Sequence, residues 1–247
     1  MDSDFCKTWL WRQAFQEARN DADKEEQNYF REQYLAMRER VRHLVNQIPT
    51  DLPGLTVHDL SHLDSLWETA SLVTEGKFHL SPPAAFVFGA SVLLHDAALT
   101  VAAYPNRIED IKKTVEWRDA YARLAQSNSN NEINDTILPD VLRRLHARQA
   151  EVLAQQAWKD SNGQQQYLIE DSDLRSFYGE TIGKIAHSHW WDVQKIEQEL
   201  SQDLGPSPKT QNRVERLAVA CLLRIADALH VDLRRAPTPP NLSLIHI

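Results

Sequence analysis

A chain of 247 residues with a formal net charge of -8 is long enough to bury a sizeable core. Its acidic balance counts against a protein that coats nucleic acid by neutralising phosphates, although a local basic cleft stays compatible with it. Seven glycines against recurrent Ala, Leu, Gln, Glu and Arg predict an all-α protein, because those side chains lose little freedom in a helix.

In chain order, Phe5 to Asn20 reads as a short amphipathic helix and Asp23 to Gln47 as a long charged one. The apolar side of the second carries Tyr29, Phe30, Tyr34, Met37, Val41 and Leu44. Together they make an N-terminal helical extension, residues 1–48. The run from Pro49 to Gly54 predicts a break before the part of the chain that carries chemistry, residues 54–236. Helical patterns then cover His58 to Glu75, Pro83 to Ala102, Ile108 to Ala125, Pro139 to Lys159, Leu174 to Trp191 and Gln211 to Leu233. No segment recurs at a fixed period, which argues against a solenoid. The longest apolar stretch, Ala84 to Ala103, is interrupted by His95 and Asp96. Neither a membrane span nor export is expected, and Cys6 and Cys221 form no paired metal spacing, so a reducing cytoplasm is the expected setting. The last six residues, 242–247, match the translation of CTG TCT CTT ATA CAC ATC, a common sequencing-library adapter. The protein is therefore expected to continue past Asn241, and His246 is not counted as a ligand.

The chemistry-bearing residues interrupt apolar helices. His95-Asp96 ends a strongly apolar helix, where burial is costly without a partner. A metal ion would supply one, and a hydrogen-bonded pair at a helix end is the alternative. His58 and His62 share one helix face, as chance surface histidines also would. Asp227 interrupts Ala220 to Leu229, with Arg224 one turn earlier, a spacing that also allows a plain intrahelical ion pair. The common need of His62, His95, Asp96 and Asp227 for a buried partner favours a single explanation.

The order His, His-Asp, distant Asp resembles the HD superfamily of metal-dependent phosphohydrolases over roughly Thr56 to Arg235. Leu93-Leu94-His95-Asp96 resembles its defining doublet, and Leu222 to Leu229 its closing motif. The combination is most similar to the HD domains of bacterial conflict and signalling proteins, which are often joined to a chaperone-type ATPase, here a C-terminal partner domain missing from the fragment. The resemblance implies an HD-type helical bundle in which His62, His95, Asp96 and Asp227 hold a divalent metal (Mn, Fe, Zn, Co or Mg). It also implies hydrolysis of a phosphoester, such as that of a nucleotide, by metal-activated water, with Asp96 bridging to any second metal. The spacing of His58 and His62 is similar to that of cyclic-nucleotide phosphodiesterases, which makes His58 the candidate acid. His146 is a candidate acid or second-metal residue, and also reads as a helix-surface histidine. His187 or His189, with Arg144, would serve a second metal or phosphate, and Arg143, Arg224, Arg234 and Arg235 could hold phosphate.

The sequence departs from the family pattern at one point. Ala97-Ala98-Leu99-Thr100 follows the doublet where many HD enzymes have a glycine and another histidine, which puts deoxynucleotide triphosphohydrolase activity in doubt. His230 is expected outside the ligand set, with His43 and His79 on the surface. Trp190-Trp191 could stack on a base or anchor a helix end. Alternative functions are a catalytically silent sensor or scaffold domain and a single-strand nuclease.

Overall fold

The computed structural model describes residues 4–53, 55, 59–126, 133–159 and 162–230. A 3-10 turn at Asp4–Lys7 leads into α1 (Trp9–Phe15), α2 (Asp21–Val45) and one helical turn, α3 (Ile48–Asp51). Then come α4 (Leu60–Thr74), α5 (Pro82–His95), α6 (Ile108–Ile111), α7 (Val115–Gln126) and α8 (Ile133–Leu153). A small antiparallel pair, β1 (Ala157–Lys159) and β2 (Gln165–Tyr167), precedes α9 (Ser172–His187), α10 (Val193–Leu200) and α11 (Arg216–Leu229). The expected all-α fold is what the chain adopts. Among the described residues, no helix is long and apolar enough to cross a membrane.

Helix α5 is the axle of the bundle. Ser81 caps its first turn by accepting from the Ala84 N–H, and Pro82 and Pro83 occupy positions where a missing N–H costs nothing. From Pro83 to His95 every residue is buried. Helices α1, α2, α4, α8, α9 and α11 all pack against it, so a polar group at its C-terminal end is presented to several neighbours at once. Two glycines set the closest approaches. A side chain at Gly89 would lie 2.5 Å from the Tyr34 ring and 2.6 Å from Trp67, and one at Gly183 would lie 1.9 Å from the Glu151 carbonyl oxygen. The first lets α2 and α4 close on α5, and the second brings α8 against α9.

The N-terminal helices share this core. Asn20 caps α2, whose buried residues Phe30, Tyr34, Met37, Val41 and Leu44 follow helical spacing. Trp11 and Tyr34 pack edge-on against Trp67 of α4, and the Trp67 indole donates to Tyr34 Oη at 2.9 Å. Arg38 on α2 forms two hydrogen bonds to Asp64 on α4, at 2.9 and 2.6 Å. These contacts hold the helix that carries His62.

Several boundaries differ from those read in the sequence. Pro49 sits in the first turn of α3, where proline is tolerated, so the helical path resumes at the expected break. Helix α5 ends at His95, and Ala102 belongs to a separate 3-10 turn. Helix α8 starts before Pro139 and stops at Leu153. Beyond it, Gln156 and Trp158 donate to the Ala103 and Ala102 carbonyls at 2.7 and 3.2 Å and draw the chain into β1. Helix α10 was not read from the sequence, although Val193, Ile196 and Leu200 recur at helical spacing; it is eight residues long and buries Ile196 and Leu200. Helix α11 begins at Arg216, five residues after Gln211, because Val214 pairs with Leu204 through two backbone bonds of 3.0 and 2.9 Å.

Candidate metal centre

Asp96 caps the C-terminus of α5, and the side chains around it come from four other elements. Its Oδ2 lies 3.2 Å from His95 Nε2, while Oδ1 lies 3.5 Å from His146 Nε2 on α8 and 4.0 Å from His189 Nε2. His189 belongs to the 3-10 turn Ser188–Trp190 after α9. On the other side, Asp227 Oδ1 of α11 is 3.8 Å from His95 Nε2 and 3.9 Å from His62 Nε2. Two groups of possible ligands result: His62, His95 and Asp96, and Asp96, His146 and His189, each with donor atoms within 4.8 Å of one another. Asp96 belongs to both.

The tautomers of three of these rings follow from their partners. His95 Nδ1 is 2.7 Å from the Val92 carbonyl, His146 Nδ1 is 2.7 Å from that of Arg143, and His189 Nδ1 is 2.6 Å from that of Ala186. A carbonyl only accepts, so each Nδ1 carries the proton and each neutral ring turns a bare Nε2 lone pair inward. His62 Nδ1 meets His230 Nδ1 at 3.0 Å.

The donor set fits a divalent cation. His95 Nε2 is fully buried and faces two carboxylates, Asp96 at 3.2 Å and Asp227 at 3.8 Å. His146 Nε2 and His189 Nε2 approach to 3.1 Å with both Nδ1 atoms already donating. Lone pairs and carboxylates that converge in this way need a positive charge between them, a proton or a metal ion, and mixed imidazole and carboxylate ligands suit first-row divalent metals. Without metal a proton takes that place at His95. Burial works against a charged His95, but Asp96 and Asp227 outweigh it and hold its pKa well above the ordinary value. Burial would raise the pKa of both carboxylates. It is outweighed chiefly by His95, and both titrate well below the usual range. Burial, assisted by the charge on His95, lowers His189 to about 4.

The remaining residues singled out in the sequence fall in three places. His187 bonds Glu151 Oε2 at 2.5 Å and stands outside both groups, so the helix end separates it from His189, two residues on. Arg144 is exposed and pairs with Asp140 on its own helix at 2.8 Å. Arg224 does not form the ion pair with Asp227 that their spacing allows. Its Nη1 donates to the carbonyls of Ser188 and Trp191, the latter at 2.8 Å, because Asp227 is turned toward the histidines and the carbonyls of the adjacent turn are within reach. Arg224 thereby fixes the turn that carries His189. Trp191 is buried, whereas Trp190 is 58% exposed with its ring edge-on to His146, centroids 5.2 Å apart. His58, Arg234, Arg235 and residues 242–247 lie outside the described residues. A cavity of about 680 Å³ between the start of α2 and residues 208–212 contains none of the ligand candidates.

A family described as HD-CE matches residues 52–245, most of the chain and every residue of both groups. The chain belongs to the HD-CE family. It is thus an HD-domain protein, and its helices form an HD-type bundle. No curated protein and no solved structure matches the chain significantly. HD-CE membership and the buried His/Asp cluster together fit a metal-dependent phosphohydrolase in general terms.

Proposed function

We propose that this HD-CE protein hydrolyses a phosphoester of a nucleotide at a two-cation site. His62, His95, Asp96 and Asp227 would hold one cation, and Asp96, His146 and His189 the other. The observation that carries this reading is the division of Asp96, one carboxylate oxygen toward each group. Divalent cations bound there would supply activated water and charge to polarise a phosphoryl oxygen.

The protein's own part is to fix geometry and admit substrate. Carbonyls at the ends of α5 and α9 and within α8 orient three imidazoles. The side chains of His62, His95, Asp96, His146 and His189 are nearly closed to solvent, while Asp227 keeps 26% exposure and marks the accessible side. Trp190 offers an aromatic face beside His146, which supports a substrate bearing a base. Arg143, exposed and one turn before His146, makes no ion pair or hydrogen bond through its side chain among the described residues, leaving its guanidinium for phosphate. His58 would donate the proton to the leaving oxygen, the role that the resemblance of the His58–His62 spacing to cyclic-nucleotide phosphodiesterases implies.

The experiment is a screen of nucleotide phosphoesters with Mn, Co, Zn and Mg, repeated on His95→Ala and Asp96→Ala. Hydrolysis should require metal and should vanish in both variants while their circular dichroism stays helical. A metal-loaded wild type that cleaves none of the esters would favour a sensor or scaffold domain.

A further inference from the structure

We infer that His230 is a positioning residue for His62, fixing the tautomer and ring orientation that a cation ligand needs; the inference rests on the metal reading of the site. His95, His146 and His189 each have a carbonyl three residues earlier to hold Nδ1–H. His62 is placed differently. It lies in the first turn of α4, three residues after the cap residue Asp59, whose carbonyl accepts the backbone N–H groups of His62 and Leu63 at 3.1 and 3.3 Å. The His62 ring instead meets His230 Nδ1 at 3.0 Å, with ring centroids 4.9 Å apart and planes inclined at 34°.

For a neutral His62 to direct its Nε2 lone pair at a cation beside Asp227, its Nδ1 must carry the proton and donate. The neutral His230 Nδ1 is then the acceptor, with its own proton on Nε2. His230 is well anchored for this task. Its backbone N–H caps α11 by bonding the carbonyls of Ala226 at 3.0 Å and Asp227 at 3.3 Å. One helix end therefore delivers a candidate ligand, Asp227, together with the group that orients another. The opposite tautomer, with His230 donating, would put the His62 proton on Nε2 and remove the ligand.

Outer hydrogen-bond partners of metal-bound histidines are worth about 10–100-fold in affinity. The test is a titration of the full chain with Co²⁺ alone, following its visible absorption, for wild type, His230→Phe and His230→Asn. Phenylalanine keeps a ring against His62 but offers no acceptor, and asparagine supplies an amide oxygen near the position of Nδ1. The expected result is a roughly 10–100-fold loss of affinity in His230→Phe and substantial recovery in His230→Asn. Unchanged affinity in His230→Phe, or equal loss in both folded variants, would overturn the inference. A wild type that binds no Co²⁺ would overturn the metal reading along with it. Tight wild-type binding without hydrolysis removes only the proposed activity, and the comparison of variants stands.

Discussion

His146 Nε2 and His189 Nε2 lie 3.1 Å apart, although one ring belongs to α8 and the other to the turn after α9, and each has its Nδ1 committed to a carbonyl. Two inward lone pairs at that distance repel unless a proton or a cation lies between them. With Asp96 Oδ1 nearby, the arrangement is a second ligand group that a single-metal account leaves unused.

Replacing His189 by alanine should therefore reduce bound metal from two ions per chain to one, since His62, His95, Asp96 and Asp227 remain. Metal analysis after dialysis checks this. Retention of two ions would exclude His189 as a ligand.

Gly183 is the reason α8 can lie close enough to α9 for those rings to meet. A methyl group there would stand 1.9 Å from the Glu151 carbonyl oxygen, and rotation of a side chain cannot relieve a clash with backbone. Helix propensity alone would favour Gly183→Ala by about 1 kcal/mol. Overpacking should win, with a net loss of about 3 kcal/mol. For a chain of this size that is a fall in Tm of roughly 6–12 °C, measurable by thermal denaturation. A higher Tm would show that the helices can separate freely.

The pH dependence of metal binding has a definite sign. In the metal-free protein the His95 pKa stands above its unfolded value of 6.5. The proton's contribution to stability is thus fully present below that value and is lost as pH rises through the folded pKa. The lowered pKa values of Asp96 and Asp227 give stability that is lost only in acid, well outside the range from pH 6 to 8. A cation has to displace the His95 proton, so its affinity and the Tm gain on adding metal should both grow from pH 6 to pH 8. Calorimetric titration in two buffers of different ionisation enthalpy would also register proton release at the lower pH. A Tm gain that shrinks across this range would contradict the assignment of His95.

The legible parts of the sequence were those in which a polar residue breaks a strong apolar pattern. His95-Asp96 stands out because α5 is apolar on every side, and Asp227 because α11 has an apolar stripe around it. The choice between His187 and His189 was not legible. His187 ends α9 and His189 follows it, and only the turn from Ser188 to Trp190 decides which ring points at Asp96. Arg224 illustrates the same limit. Its spacing from Asp227 permits an ion pair, but the tertiary positions of the Ser188 and Trp191 carbonyls prevail. The contact of His230 with His62 spans 168 residues and leaves no local trace. Helix α10 and the β1–β2 pair were missed because they are short, eight residues and three residues per strand, so each repeats its pattern only once or twice.

The most direct test of the account is the metal content of Asp96→Ala beside that of the wild type, both dialysed against the same Mn²⁺ buffer. Because Asp96 serves both ligand groups, the wild type should hold two ions per chain, and the folded variant should retain neither through dialysis and hydrolyse no ester. A wild type without bound metal, or an Asp96→Ala protein that keeps both ions, would contradict it.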